Sequence, residues 1–144
     1  MWWRGTHRRA ARAVVVGSSV WVLVAIGCSN AGSPEAVADA FADAYFRRMD
    51  QEKAKEFTAL GASAMLDEEL RSVAEIRKDG YSPADESSDV TIRRGEPAPR
   101  DQRVRVPYEI VIKSEGGETI KDADIELTKI NGAWKVVRVG LKAR

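Results

Sequence analysis

The spacing of apolar residues changes from helical to alternating about halfway along the chain. Ser33-Pro34-Glu35 predicts the start of a first helix, because serine caps an exposed helix end, proline suits the first turn and an acid complements the helix dipole. The next apolar positions recur at three- and four-residue intervals and define one side of this helix. They are Val37, Phe41, Ala44, Tyr45 and Met49.

Two further helices are expected before residue 81. Asp50 is predicted to cap the second helix, and Gly61 to interrupt the helical pattern. The third helix is expected over residues 63–78, with Asp79-Gly80 closing it. The expected inward positions are Ala54, Phe57 and Leu60 in the second helix and Leu66, Leu70, Val73 and Ile76 in the third.

From residue 89 onward the pattern is that of strands. Residues 81–88 are expected to form a loop, and Val90 and Ile92 a short strand that ends at residues 95–99. Gly116-Gly117 and Asn131-Gly132 are predicted hairpin turns between three longer alternating segments. The apolar positions of these segments are Val104, Val106, Tyr108, Ile110 and Ile112, then Ala123, Ile125 and Leu127, then Trp134, Val136 and Val139.

The two turns fix an expected register for an antiparallel meander, because a one-residue slip would move every side chain to the other face. The expected opposed pairs are Ile110 with Ala123, Tyr108 with Ile125, Val106 with Leu127, Leu127 with Val136, and Ile125 with Arg138. One continuous apolar face results. The sequence therefore predicts an α+β fold in which amino-terminal helices pack on an antiparallel sheet.

The first 27 residues have the form of a secretory signal: four arginines, then an apolar run over residues 13–26. Such a run is shorter than the ~20 residues that a spanning helix needs. Ala25-Ile26-Gly27-Cys28 resembles the lipobox of bacterial lipoproteins, which implies a diacylglyceryl group on Cys28 and cleavage before it. Residues 28–33 would then be a tether and residues 34–144 the domain. Ordinary cleavage, giving a soluble protein, and an uncleaved anchor are the alternatives.

Composition narrows the chemistry of this domain. The first 27 residues hold four of the 23 basic residues and none of the 22 acidic ones, so the rest carries 19 basic and 22 acidic residues, a formal charge of −3. An acidic balance disfavours nucleic-acid binding, which depends on phosphate neutralisation. The only cysteine is Cys28 and the only histidine is His7. We therefore expect no disulfide, no metal site and no cofactor in the domain.

Two segments resemble the NTF2-like superfamily, and its small DUF4878-like bacterial lipoproteins of unknown function in particular. They are Tyr45-Phe46-Arg47-Arg48-Met49-Asp50 at the end of the first helix and Asn131-Gly132-Ala133-Trp134-Lys135-Val136 in the last hairpin. The resemblance covers roughly residues 34–139. It implies a sheet that curls into a cone around the first helix, sometimes around a pocket, and an outer sheet face that often mediates dimerisation.

Two surfaces are candidate sites. The candidate pocket inside the cone consists of Phe41, Tyr45, Tyr108, Trp134 and Arg138, which would either hold a small apolar ligand or simply fill the core. The candidate interface on the opposite sheet face consists of Val111, Ile120, Val137 and Val139, with Leu141 beside them. The alternative is that a loop over residues 95–100, or the C-terminal tail, covers this face. Asp122, Asp124 and Glu126 on one strand face could bind Ca²⁺, but a strand gives no turn to wrap an ion, and an acidic ladder in solvent is favoured.

These observations lead to a membrane-tethered, non-enzymatic interaction module on the extracytoplasmic side of the bacterial cell envelope. Its expected partners are the membrane, through the lipid anchor, and either a second copy or another envelope protein. A binder of small apolar ligands in the cone is the alternative. An isomerase- or dehydratase-like enzyme is a third hypothesis, and it needs Asp39, Asp43 or Tyr45 directed into a cavity. We assign no catalytic residues.

Overall fold

The computed structural model describes residues 32–78 and 89–144 of the chain. The helices are α1 (Pro34–Ala42), continued by a π-helical turn (Asp43–Arg47), α2 (Gln51–Lys55) and α3 (Leu60–Lys78). The strands are β1 (Asp89–Arg94), β2 (Ala98–Arg100), β3 (Arg103–Ser114), β4 (Gly117–Ile130) and β5 (Ala133–Ala143). Several predictions lie outside the described residues: the signal peptide, Cys28 with residues 28–31 of the tether, the helix closure at Asp79-Gly80, the loop over residues 81–88, and the inward side chain of Ile76. Within those residues, every helix is too short or too polar to cross a membrane.

The start of α1 is as predicted: Ser33 is the N-cap, and its Oγ accepts a hydrogen bond from the Ala36 N–H at 3.2 Å. The helix then widens into the π-helical turn, where the Arg48 N–H donates to the Asp43 carbonyl five residues back at 3.1 Å. Arg47 and Arg48 both form ion pairs with the Asp43 carboxylate. The helix predicted through Met49 is therefore α-helical only to Ala42, and its end is a π-helical turn that gathers two arginines on one acid.

The second and third helices differ from the prediction at their junction. Asp50 caps α2 as expected, accepting from the Lys53 N–H at 2.9 Å. However, α3 begins at Leu60, so Gly61 lies inside the helix, and Leu60 is 68% exposed rather than inward. The junction is fixed by the sheet, because the Ala59 N–H donates to the Val136 carbonyl on β5 at 2.9 Å.

Glycine at position 61 has a packing reason. A Cβ there would lie 3.3 Å from the Val137 carbonyl oxygen, which is tighter than most real Cβ contacts. The amino-terminal turn of α3 therefore rests directly on the backbone of β5. Of the predicted inward positions of α3, Leu66 is fully buried and Leu70 and Val73 are partly buried.

The sheet order is β1-β3-β4-β5, and β2 also pairs with β3. Val90 and Ile92 lie in β1 as predicted, but the chain does not leave the sheet after residues 95–97. The Gly95 N–H donates to the Pro107 carbonyl at 2.8 Å, and β2 then resumes pairing along the same side of β3. Together β1 and β2 form one interrupted edge strand.

The first hairpin turn is displaced by one residue from the prediction. Ser114 pairs with Gly117, so Glu115 and Gly116 form the turn, and Gly117 has a φ of +123°, which side-chain-bearing residues rarely adopt. Each expected partner consequently moves by two residues, and Tyr108 lies opposite Ala123 instead of Ile125. A shift of two keeps every side chain on its expected face, so the apolar face is preserved.

The second hairpin turn is as predicted, but a β-bulge interrupts the pairing beyond it. Asn131 and Gly132 have φ values of +51° and +83°, and Leu127 lies opposite Val136. The register then shifts between Glu126 and Leu127, with Val137 as the extra residue on β5. Beyond the bulge, Ile125 lies opposite Val139 rather than Arg138, so the strand's remaining residues exchange faces relative to the prediction.

The space between α1 and the sheet is occupied by side chains. Seven large residues there are less than 2% exposed: Phe41, Leu66, Val106, Ile110, Ile125, Leu127 and Val136. They belong to one continuous apolar cluster that includes residues of α1, α3 and the sheet. The α+β fold class is confirmed: helices are followed by a curled antiparallel sheet of five strands.

Candidate functional site

Two residues of the candidate pocket lie together on the helical side of the core. The Phe41 ring is completely buried and stacks on the Tyr45 ring, with centroids 5.4 Å apart and an interplanar angle of 18°. The Tyr45 hydroxyl donates to Glu69 Oε1 on α3 at 2.7 Å. Burial raises the pKa of Tyr45 well above its ordinary value, and the hydrogen bond to Glu69 adds to this effect. Tyr45 therefore joins α1 to α3.

Tyr108 lies on the inner sheet face and makes a different polar contact. Its hydroxyl donates to Asp39 Oδ1 on α1 at 2.8 Å, and the other oxygen of Asp39 pairs with Arg94. Burial, together with the hydrogen bond to Asp39, raises the pKa of Tyr108 well above its ordinary value. These three residues line an open groove of about 960 Å³ between α1 and β1.

Trp134 packs against the same core as the other candidate pocket residues, whereas Arg138 lies on the other face of the sheet. Trp134 packs partly buried against the core near the β4–β5 turn, with Lys129 Nζ 5.3 Å from the centroid of its ring. Arg138 lies opposite Glu126 on the outer sheet face and is exposed. The expectation that Arg138 points into the cone is wrong, because the bulge at Val137 turns it outward.

The candidate interface residues are also divided by the bulge. Val111 and Val137 are each 8% exposed and Ile120 is partly buried. Val139 packs against the apolar core, so its expected position on the outer face is wrong. Leu141 is 53% exposed and lies opposite Ala123, a buried inner-face residue. These side chains do not form the exposed apolar patch that the sequence suggested.

Ion pairs cover the outer sheet face instead. The three acids of β4 that were expected to stand in solvent each face an arginine: Asp122 with Arg144, Asp124 with Arg105, and Glu126 with Arg103. The Arg105–Asp124 pair is bidentate, with Nε 2.8 Å from Oδ1. Among the described residues, no group of three or more potential ligands is placed to hold a metal ion. The acids therefore organise arginines rather than a cation.

Four arginines converge at one end of this face, around a concavity of about 270 Å³. We call it the arginine pocket, and it is lined by Arg100, Arg103, Arg105, Arg138, Asp124, Glu126 and Gly140. Arg103 and Arg105 pair with the two acids, whereas neither Arg100 nor Arg138 has an ion-pair partner among residues 32–78 and 89–144. No signal in the sequence indicated this site, because the apolar pattern puts Arg100 in a loop and Arg138 on the inner face.

The geometry gives little support to acid–base catalysis by the acids of α1. Asp39 is held by Tyr108 and Arg94, and Asp43 by Arg47 and Arg48. A general base needs a carboxylate oxygen that is available near the reacting proton, and the oxygens of both carboxylates are already engaged by these partners. The ion pair of Asp39 with Arg94 therefore joins α1 to β1. The ion pairs of Asp43 with Arg47 and Arg48 stabilise the π-helical turn that follows α1.

Comparison with known proteins identifies the fold and nothing narrower. No family model and no curated protein matches the chain. A designed NTF2 protein superposes with a TM-score of 0.52 at 13% identity, over 75% of this chain and 95% of its own. The Bdellovibrio bacteriovorus protein Bd1075 gives a TM-score of 0.48 at 14% identity, over 74% of this chain and 38% of that protein. A DUF4783 family protein from Bacteroides ovatus gives 0.42 at 11% identity, over 73% and 94%. The chain has an NTF2-like fold.

Proposed function

We propose that this chain is a membrane-tethered, non-enzymatic interaction module on the extracytoplasmic side of the bacterial cell envelope. One observation carries the proposal: the outer sheet face presents four arginines, two held by carboxylates and two without an ion-pair partner among the described residues. Such a face suits recognition of a charged partner. The lipobox-like Ala25-Ile26-Gly27-Cys28 and the short tether supply the attachment.

The filled interior supports this function over binding of an apolar ligand in the cone. Phe41, Ile125 and Val136 are completely buried within one apolar cluster between α1 and the sheet. A ligand site of ordinary size needs roughly 300–1,000 Å³ of concave space. An apolar ligand at this place would have to displace the aromatic ring of Phe41.

Attachment is tested by replacing the cysteine. We expect mass spectrometry of the membrane fraction to show an acyl mass on Cys28 of the mature wild-type chain, and Cys28→Ala to lose the acyl mass and membrane retention together. Ser29→Ala is the matched control, because it changes the adjacent residue and leaves the thiol in place. Full membrane retention of Cys28→Ala, with its first 27 residues still attached, would contradict the lipid anchor and favour an uncleaved one.

A further inference from the structure

We infer that the arginine pocket is a binding site for a dianionic phosphate monoester. This inference deepens the proposed function by naming the chemistry that the outer sheet face recognises. It depends on the proposed membrane attachment only for the source of the phosphate, because the pocket itself lies wholly within the described sheet.

Two arginines of the pocket are held in place by carboxylates before a ligand enters. Asp124 holds the guanidinium of Arg105 through two contacts, and Glu126 lies 3.4 Å from Arg103 Nη1. Two of the four guanidiniums are thus oriented by carboxylates on the central strand β4. Oriented donors bind an anion more strongly because less side-chain freedom is lost on binding.

Two further arginines of the pocket, Arg100 and Arg138, have N–H donors that no carboxylate of the described residues engages. Arg100 lies opposite Arg103 in the tight β2–β3 hairpin, and the bulge at Val137 sets Arg138 opposite Glu126. Both are exposed, and neither has an ion-pair partner in the described part of the chain. Arginine presents a planar set of N–H donors that matches phosphate oxygens two at a time.

The net charge and the volume of the arginine pocket also favour a phosphate monoester. Four guanidiniums against the carboxylates of Asp124 and Glu126 leave an excess of two positive charges around the concavity. A phosphate monoester carries about −1.5 to −2 at neutral pH, whereas a phosphodiester or a carboxylate carries only −1. The volume of about 270 Å³ lies just below the range of drug-sized ligand sites, so it suits an anionic group whose remainder projects into solvent.

The same charge argues against self-association through this pocket. An interface between two copies that stacked the same patch would bring two sites of equal positive excess together, and like charges at an interface are unfavourable. A long polyanion is also disfavoured, because residues 28–144 carry a formal charge of −3. The arginine pocket can bind a small phosphate monoester without bringing that anion into contact with the acidic remainder of the domain.

Calorimetric titration of the full-length protein in neutral detergent micelles tests the site, with inorganic phosphate as the probe at pH 7.5 and low ionic strength. We expect saturable binding with a Kd on the order of 1 mM, since a small anion has few atoms to contact. The double variant Arg100→Ala/Arg138→Ala should weaken this binding at least about tenfold, because it removes the donors that no carboxylate occupies. Both residues are exposed, so the variant should melt at the wild-type temperature.

The matched control is Arg71→Ala/Lys113→Ala, which removes two exposed cations that do not line the pocket, each paired with a nearby glutamate. It should bind phosphate as the wild type does. Arg138→Lys should bind more weakly than the wild type although the charge is retained, because an ammonium cannot make the two-point contact. Equal affinity in all four proteins, or no saturable binding by the wild type up to about 50 mM phosphate, would overturn the assignment.

The source of the phosphate is distinguished by comparing glycerol 3-phosphate with short-chain phosphatidic acid below its micellar concentration. Tighter binding of the lipid assigns a membrane headgroup, and equal binding assigns a soluble ester. Weaker binding of both than of inorganic phosphate would overturn a monoester ligand. Because these titrations do not require the acyl group, their failure is separable from that of the Cys28→Ala experiment.

Discussion

Replacing Phe41 by alanine tests whether the inside of the cone is filled. The ring is 0% exposed, stacks on Tyr45 at 5.4 Å and meets Phe46 edge-on at 6.5 Å. Burial of such a side chain contributes about 1.5–3 kcal/mol. Each aromatic contact adds about 0.5–1.5 kcal/mol. These contributions add to about 2.5–6 kcal/mol, and buried phenylalanines replaced by alanine lose about 3–5 kcal/mol, which is the loss in the free energy of unfolding that we expect.

Urea unfolding followed by far-ultraviolet circular dichroism measures this loss. With about 4 °C per kcal/mol for a domain of this size, the melting temperature should fall by roughly 12–20 °C. Phe41→Leu is the control, because it retains most of the apolar volume and should lose roughly 1–2 kcal/mol. The alanine variant should also gain stability from added benzene, since an apolar cavity cut into a packed core stays dry and accepts such a ligand.

Two results would refute this reasoning. A loss of less than about 1 kcal/mol in Phe41→Ala would mean that the ring is not surrounded by packed neighbours. Stabilisation of the wild-type protein by benzene would mean that the cone already holds free space. Either result would move support from the interaction module to the binder of small apolar ligands.

Two further predictions concern ionisation and backbone conformation. Because burial and carboxylate partners raise the pKa of Tyr45 and Tyr108, the folded chain keeps both protons at a pH where the unfolded chain loses them, near 10. Their contribution to stability is complete below that pH and declines above it. Tyr45→Phe/Tyr108→Phe should therefore show a shallower fall in urea midpoint between pH 10 and about 11.5, and an unchanged slope would contradict this account. Leu60 is 68% exposed and has a φ of +54°, so Leu60→Asn should raise the free energy of unfolding by about 0.5–1 kcal/mol, whereas Leu60→Ala should not.

Local chemistry in the sequence was sufficient to predict the helix caps, the second hairpin turn and the faces of β3 and β4. Ser33 and Asp50 cap helices because their side-chain oxygens reach the free N–H groups of the next turn. Asn131-Gly132 forms the turn because both residues tolerate positive φ. Each of these features depends on neighbours only a few residues away.

The bulge on β5 could not be predicted because its cause is distant in sequence. Val136 and Val137 are consecutive apolar residues, so alternation alone does not say which of them faces inward. In the structure both valines are buried. The chain before α3 pairs with Val136, and Gly61 packs against the backbone of Val137. The predicted sheet faces of Arg138 and Val139 are wrong for the same reason, because a one-residue insertion exchanges the faces of every later residue in the strand.

The arginine pocket was missed for the same reason. It joins Arg100 from β2 to Arg138 from β5, across the two strands that carry Arg103, Arg105, Asp124 and Glu126. The sequence pattern puts Arg100 outside the sheet and directs Arg138 to the inner face. Only the paired strands reveal that four guanidiniums share one concavity.

The interrupted edge strand formed by β1 and β2 affects how copies of this chain interact when they are close together. An open sheet offers its unpaired rim to strands of other chains, and proteins avoid this growth with breaks, prolines and charges at the rim. Here residues 95–97 break the pairing, Pro99 lacks an amide hydrogen, and Arg93 and Arg94 flank the break. At the opposite rim, the chain around Thr58 covers the start of β5. Copies at high local concentration would thus collide without pairing along the β1–β2 rim.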